Sequence, residues 1–458
     1  MNHEETNHDN VQCVILAAGQ GTRMKSDRPK VLHQIAGKPM VQYAIEAAAS
    51  IGARRPIVVI GHGAEQVQNA IGDRADTVLQ SPQLGTGHAL LQARARIDPA
   101  AETVLVLYGD TPFLSAETIR RLLDSHLAAQ AVLSLITFTP DDPALYGRIV
   151  RDAGGRVVDI VEYKEATPEQ RAIREVNSGI FCYQTRWLLS QLDRLQPRAG
   201  HGEYYLTDLV SLAAQDQART ATCSCDEAEV LGINDRAQLA AAERLMRETI
   251  NTRLMLSGVT LIDPAHTYIE AGVTIGPDSL IYPGTHLRGK TAIGRACTIG
   301  PNAMVEDSTI GDRVEIVASL IEGATIEDDV DIGPFSHLRR GAHLCTGVHI
   351  GNFAEVKDST LGPGTKQGHF SYLGNAAIGA NVNIGAGTIT CNYDGQRKHP
   401  TTIGDNTFIG SDTLLVAPVN IGHDAQTGAG AVVTHDVADH ELVYGVPARP
   451  AKRATRNE

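Results

Sequence analysis

The chain has 458 residues, enough for two or three domains with separate cores, and its 42% apolar and 20% charged residues are ordinary for a soluble globular protein. Aromatics are only 4% while glycines number 44, which favours tight, repetitive backbone over a large aromatic core. A formal net charge of −13 without a polybasic run excludes nucleic acid and anionic membrane as partners, and no apolar run reaches the length of a membrane span.

In chain order, residues 1–10 are polar, lack the apolar core of a signal peptide and read as a disordered terminus. Residues 11–17 form an apolar run that predicts a buried strand, and it runs into the glycine-rich turn of VILAAGQGTRM (14–24). Gly19 and Gly21 let backbone N–H groups face a phosphate, and Arg23 adds a forked cation. Met24 stands where a dinucleotide-binding fingerprint needs its third glycine, so that reading fails. Residues 38–51 carry helical spacing, with Val41, Ala44, Ile45 and Ala48 on one face. Further strands are expected at 56–60 and 103–108, and Asp110 follows the latter at a carboxyl end, where open α/β sheets place ligand residues. An Asp there also serves as a turn or helix cap. The alternation predicts a doubly wound α/β sheet over 11–234. Residues 235–256 have helical spacing with Ser257-Gly258 as the stop, so 235–258 read as a linker helix. Seven scattered cysteines, Cys223 and Cys225 among them, read as reduced thiols of a cytoplasmic protein.

From about residue 270 the period changes to six. Ile275, Ile281, Leu287, Ile293, Ile299 and Val305 form one run; Ile326, Ile332, Leu338, Leu344, Ile350 and Val356 a second; Ile403, Ile409, Leu415 and Ile421 a third. Such a period fits a solenoid whose hexapeptides form the flat sides of a three-sided coil, here 259–440. The register breaks at CNYDGQRKHP (391–400), which is expected to leave the coil as a functional loop. Residues 441–458 read as a mobile, solvated tail.

The loop 14–24 followed by Pro29-Lys30-Val31-Leu32 resembles the signature loop of the sugar-nucleotide pyrophosphorylases, which are Rossmann-like nucleotidyltransferases. The resemblance implies a UTP and UDP-sugar site at Leu16, Ala17, Ala18 and Gly19, with Arg23 and Lys30 neutralising phosphate oxygens. QSPQLGT (80–86) resembles the uracil-reading segment, with contacts from Gln80, Gly85 and Thr86. Tyr108 and Gly109 flank the site. Asp110 and Asn234 match the two metal-holding positions, for Mg²⁺, and Gly147, Glu162 and Asn177 match sugar-binding positions. The implied reaction is attack of a sugar-1-phosphate on the α-phosphorus of UTP, with pyrophosphate leaving.

The coil resembles the left-handed parallel β-helix of the hexapeptide-repeat acyltransferases; the left hand rests on that resemblance, because the general rule favours right-handed crossovers. The whole chain resembles the bifunctional bacterial enzymes that acetylate glucosamine-1-phosphate and uridylylate the product, most densely at 351–357, 368–395 and 409–419. His369 is then the base that takes the amine proton as nitrogen attacks the acetyl-CoA thioester, with Glu355 and Asn383 to orient it. Arg339 and Lys357 match the phosphate-holding positions. Tyr372, Asn383, Asn392, Tyr393 and Lys398 match those around the amino sugar, and Ala386, Ser411 and Ala429, with Asn392 and Tyr393, the acetyl-CoA contacts. A homotrimer with the acetyl site between chains is implied. Two positions depart from the family: Arg340 stands where relatives often have Pro, and Val446 where an Arg for the CoA phosphates is expected, leaving Arg449, Lys452 or Arg453 to replace it. A coil used only for assembly, or a protein that only binds nucleotide sugars, would not need His369 with the NYDG loop, nor Arg23, Lys30 and Asp110 together.

Overall fold

The computed structural model describes residues 10–143, 146–198 and 202–451. The chain divides between Glu243 and Arg244 into two compact units. In the first, seven strands form the path of one sheet: β1 (Val11–Ala17), β2 (Arg54–Ile60), β3 (Asp76–Leu79), β4 (Thr103–Tyr108), β5 (Leu133–Phe138), β6 (Val176–Gln184) and β7 (Thr220–Ser224). Their spatial order is β7-β5-β6-β4-β1-β2-β3. Strands β4, β1, β2 and β3 are mutually parallel, and β7 is parallel to β5, whereas β6 runs antiparallel to both β4 and β5. The sheet is therefore mixed, with a parallel block that runs from β4 to the β3 edge. A hairpin of Arg148–Arg151 and Val157–Val161 joins β6 at its side.

All seven residues of β1 are buried because both sheet faces are covered. Cys13, Ile15 and Ala17 pack on one side with Val41, Ala44 and Ile45 of helix α1 (Met40–Ser50), and Val14 and Leu16 pack on the other with Leu90 of helix α2 (Thr86–Ala93). The chain winds outward from β1 through β2 to β3, then returns to place β4 on the other side of β1. The loops leaving β1 and β4 thus diverge at a switch point of the sheet, where such folds open a crevice.

The second unit is built of short strands two to four residues long, stacked into three sheets. Ile275 pairs with Ile293, Ile281 with Ile299 and Leu287 with Val305, so each aliphatic residue lies beneath the one three hexads later. These rows point inward: Ile281, Ile299, Ile316, Ile332 and Ile350 are all fully or nearly fully buried. Burying each isoleucine contributes roughly 1.5–3 kcal/mol relative to leaving it in water. The unit is a left-handed parallel β-helix of hexapeptide repeats. The 391–400 insert leaves the ladder undisturbed, since Ile378 pairs directly with Ile403.

Helix α3 (Arg236–Leu256) contains the point, between Glu243 and Arg244, at which the chain divides. Ala242, Met246, Ile250 and Leu254, one turn apart, form its buried stripe. The tail expected from 441 is ordered up to Ala451. Leu442–Tyr444 adds a parallel strand beside Gln426–Thr427, and Arg449–Ala451 folds back antiparallel onto it. The reversal at Tyr444-Gly445-Val446-Pro447 uses Gly445 at φ +96°, and the pairing covers backbone groups that the last coil would otherwise leave open. Expectations for residues 1–9, Lys452 and Arg453 lie outside the described residues.

Candidate active sites

At the switch point of the first unit lies a cavity of about 530 Å³. Its wall includes Leu16, Ala17, Ala18 and Gly19 from the end of β1, Lys30, Gln80, Gly85 and Thr86 at the start of α2, and Tyr108 and Asp110 after β4. Ten expected nucleotide-site positions, far apart in the chain, thus meet on one surface. Gly109 lies beneath it: its N–H donates to the Leu16 carbonyl at 3.0 Å, and a Cβ there would stand 3.2 Å from both Ala17 Cβ and Val31 Cγ1. Arg23 sits exposed on the short turn Thr22–Met24, which follows Gly21 at φ +63°. A Cβ on Gly21 would come within 2.6 Å of Lys30 Cβ, so the glycine makes room for the lysine to approach.

Lys30 Nζ donates to Asp110 Oδ2 and, at 3.1 Å, to Asn234 Oδ1. The two expected metal ligands therefore converge on one point, now filled by an ammonium. Asn234 is fixed by its Nδ2, which donates to the Gly232 carbonyl at 3.2 Å, and by its N–H, which donates to Gln238 Oε1 at 2.8 Å. The Ile233 N–H donates to the Asp110 carbonyl at 3.1 Å and ties the two segments together. A carboxylate and an amide oxygen brought together beside the cavity are hard donors that fit Mg²⁺ completed by water and substrate oxygens.

The QSPQLGT segment is braced by its own side chains at this end of the cavity. Gln80 is buried, and its Nε2 donates to the Gly85 carbonyl at 2.9 Å and lies 3.2 Å from His88 Nδ1. It holds the loop, while Gln83 and Glu203 also line the cavity. QSPQLGT contains both glutamines, and no local signal ranks them; Glu203 is brought in by Tyr204, whose N–H donates to the Leu84 carbonyl and whose own carbonyl accepts from the Gly87 N–H, each at 2.8 Å. Gly85, at φ +94°, permits this close pairing, because a Cβ would lie 2.6 Å from the Tyr204 oxygen.

Beyond the cavity, Gly147 lies over Glu162, whose carboxylate oxygens would be 3.5 and 3.6 Å from a Cβ there. The Asn177 N–H donates to the Gly147 carbonyl, and Asn177 Oδ1 accepts from the Gly179 N–H, both at 2.9 Å. Burial pushes the Glu162 carboxyl above its ordinary value, with Arg198 opposing and Glu165 and Asp208 adding to the rise. Burial, then the charges of Asp110 and Glu162, pushes the Tyr108 phenol up.

In the second unit one edge of the coil repeats a short corner: Gly368-His369-Phe370, Gly385-Ala386-Gly387, Gly410-Ser411-Asp412 and Gly428-Ala429-Gly430. Hydrogen bonds from Gly387 N–H to the Phe370 carbonyl (2.7 Å), Asp412 N–H to Ala386 (2.6 Å) and Gly430 N–H to Ser411 (2.8 Å) stack them in register. His369 and the three expected acetyl-CoA positions thus form one column. His369 is exposed. Tyr372 and Glu355 are ladder neighbours on the flank after this corner, and Asn383 lies on the flank before it. Glu355 Oε1 accepts from Arg339 Nη1 at 3.0 Å.

The insert 391–400 bends back through a bridge between Tyr393 and Lys398 and brings Lys398 to Lys357. The contact with Lys398, then the charge of Arg339, pushes the Lys357 amine down. Three cations crowded on one surface gain from an anion among them, as expected of a phosphate site. Asn392 is buried; its Nδ2 donates to Asn375 Oδ1 at 2.8 Å, and both Asn392 and the Tyr372 hydroxyl crowd Gly374. Arg340 faces Asp307 at 3.6 Å, Val446 is exposed, and Arg449 lies opposite Tyr444 in the terminal hairpin.

Sequence reasoning missed Gln367. It occupies an inward position between Ile350 and Ile384, and is fully buried. Its Nε2 donates to Ser371 Oγ at 2.8 Å, and Ser371 Oγ donates to the His369 carbonyl at 3.0 Å. Its Oε1 is buried without a partner among the described residues. A glutamine interrupting an aliphatic row two positions before the histidine was the available signal.

Residues 13–174 match the family model described as a MobA-like NTP transferase domain, and residues 400–435 match that of the hexapeptide repeat of succinyl-transferase. The chain is 50% identical over 433 residues to a protein of Trichlorobacter lovleyi named "Bifunctional protein GlmU", covering 94% of each chain. Proteins of the same name from a Geobacillus species and from Heliobacterium modesticaldum are each 47% identical, over 94% and 93% of both chains respectively.

Proposed function

The chain belongs to the family of bifunctional GlmU proteins, and from that premise we infer that it makes UDP-N-acetylglucosamine in two steps on its two units. The second unit transfers acetyl from acetyl-CoA to glucosamine-1-phosphate. The first transfers uridylyl from UTP to the resulting N-acetylglucosamine-1-phosphate and releases pyrophosphate. The observation that carries the reading is the convergence of Lys30, Asp110 and Asn234 at the switch point, in a chain that also stacks His369 on a column of small corner residues.

In the uridylyl step no protein nucleophile is needed, so catalysis is positioning and charge stabilisation. Gln80, Gln83, Gly85 and Thr86 hold the base, the loop from Leu16 to Gly19 approaches the phosphates, and Gly147, Glu162 and Asn177 hold the sugar. Asp110 and Asn234 would hold Mg²⁺, which when bound supplies positive charge against the phosphate oxygens of UTP. Lys30 then turns from the carboxylate to the phosphates, with Arg23 at the rim.

In the acetyl step Arg339, Lys357 and Lys398 hold the sugar phosphate, and Tyr372, Asn383 and Asn392 the amino sugar. Glu355 steadies Arg339. The imidazole of His369 takes a proton from the amine as its nitrogen bonds to the thioester carbon; the C–S bond then breaks and the CoA thiolate takes up a proton. The corner column of Ala386, Ser411 and Ala429, with Tyr393 nearby, receives the donor, and Arg449 is the described cation available to its phosphates.

A homotrimer completes the acetyl site. The edge that bears His369 also exposes Phe335, Phe353 and Phe370 in successive coils, apolar surface that a second copy would cover. Among the described residues no helix is long and apolar enough to cross a membrane, and all seven cysteines are free, which supports a reducing cytoplasmic setting.

The test is one incubation with glucosamine-1-phosphate, acetyl-CoA, UTP and Mg²⁺. Free CoA thiol and pyrophosphate should both appear, each dependent on the amino-sugar phosphate. Thiol release without pyrophosphate, or the reverse, would refute the two-step reading.

A further inference from the structure

On the corner of the coil that follows Thr325–Ile326 and His343–Leu344, three side chains unconnected with either site meet. The ladder pairs Thr325 with His343 and Ile326 with Leu344, which brings Glu327 beside Cys345 on the next coil. Strand alternation turns Leu344 inward and leaves His343 and Cys345 on the same outer face. One ligand atom each from Glu327, His343 and Cys345 lies within 4.8 Å of the others. His343 Nε2 is 2.9 Å from Glu327 Oε1, and the other oxygen, Oε2, accepts from both the N–H and the hydroxyl of Thr346 at 3.0 Å. The carboxylate is therefore already oriented by an outer partner, as in built metal centres.

We propose that Glu327, His343 and Cys345 bind a borderline-soft divalent cation of the Zn²⁺ type, one per chain. A thiolate, an imidazole nitrogen and a carboxylate oxygen make three of four tetrahedral ligands, and water supplies the fourth. The thiol releases its proton to solvent on binding, and the neutral imidazole carries its proton on Nδ1. Thiolate and carboxylate then balance the dication, so the half-buried site becomes neutral. The sulfur selects against Mg²⁺, which the hard pair Asp110 and Asn234 suits. Because Glu327 and Cys345 lie on successive coils, the ion is a staple across the ladder.

The full-length chain is titrated with Co²⁺ in the presence of excess Mg²⁺ and followed by absorption. One equivalent should give tetrahedral d–d bands with a thiolate-to-cobalt charge-transfer band, displaced by Zn²⁺. Cys345→Ser should remove the charge-transfer band and His343→Gln should weaken binding at least tenfold, while both keep acetyl transfer as evidence that the coil is folded. The double variant Cys223→Ser/Cys225→Ser should retain the full signal. Zn²⁺ should also slow alkylation of Cys345 in the unaltered chain, a readout that needs no variant. A charge-transfer band that survives in Cys345→Ser, its loss in the Cys223/Cys225 variant, or no band from the folded chain would overturn the site.

Discussion

At the residue scale the two active sites rest on groups whose chemistry is separable. His369→Ala should lower acetyl transfer by about 10²–10⁴-fold and leave uridylyl transfer unchanged; separate thiol-release and pyrophosphate assays check this, and parallel loss of both would place the histidine in a structural role. Glu162 gives a pH signature. Burial raises its carboxyl above 4.5, so on acidification it loses its charge at higher pH than an ordinary glutamate. The KM for N-acetylglucosamine-1-phosphate should therefore climb as pH falls toward that raised value, and Glu162→Gln should flatten the climb. A wild-type profile matching that of Glu162→Gln would remove Glu162 from sugar binding. Many of these residues were legible in the sequence because they stand in dense local motifs. Gln83, Glu203 and the Arg339 partner of Glu355 were not, since each is defined by contacts between segments.

At the scale of elements, Gln367 sets stability against geometry. In an inward row it leaves Oε1 unpaired, which costs about 1–3 kcal/mol, yet its Nε2 fixes Ser371 and through it the corner that carries His369. Gln367→Ile should raise the thermal midpoint of the coil and lower acetyl kcat by up to about 10²-fold with uridylyl transfer intact. A gain in stability with full acetyl activity would make the glutamine a mere packing defect. In the other unit, helix Ala116–Ala128 packs His126 against β5, with Nδ1 2.9 Å from Ser134 Oγ. Burial lowers its pKa from 6.5 to about 4. The unfolded chain takes up a proton below 6.5 while the folded one does not until about 4, so stability is lost as pH falls through that window, by about 3 kcal/mol in all. His126→Gln should remove this slope from urea unfolding between those pH values; an unchanged slope would assign it elsewhere. The apolar runs and hexads announced their elements well, because burial on both faces or a six-residue stack leaves a dense periodic trace. The antiparallel entry of β6 and the ordered terminal hairpin left none, because pairing direction and edge capping depend on partners distant in sequence.

At the scale of the whole molecule, the chain carries two chemistries, and the proposed Mg²⁺ donors Asp110 and Asn234 belong to the first unit alone. Chelation with EDTA should abolish uridylyl transfer and spare acetyl transfer, and Mg²⁺ should restore the former; loss of acetyl transfer as well would tie the second unit's activity to an ion. Asp110→Ala should reproduce the selective loss without chelator. The division of labour was readable in advance from the change of period near residue 270, since a doubly wound sheet and a coil need incompatible spacing. The division between the two units falls at Glu243–Arg244, inside the 235–258 stretch whose helical spacing separates the two periods.

The corner column on the coil has a metric consequence. Adjacent coils stand about 4.8 Å apart, so the three steps from His369 through Ala386 and Ser411 to Ala429 span roughly 14 Å of evenly graduated backbone. The edge is a ruler laid beside His369. On the proposed acetyl site a thioester donor would be gauged by how many graduations its arm covers before its carbonyl reaches the histidine, so shortened carriers should fail in steps, coil by coil, and not in proportion to their lost atoms.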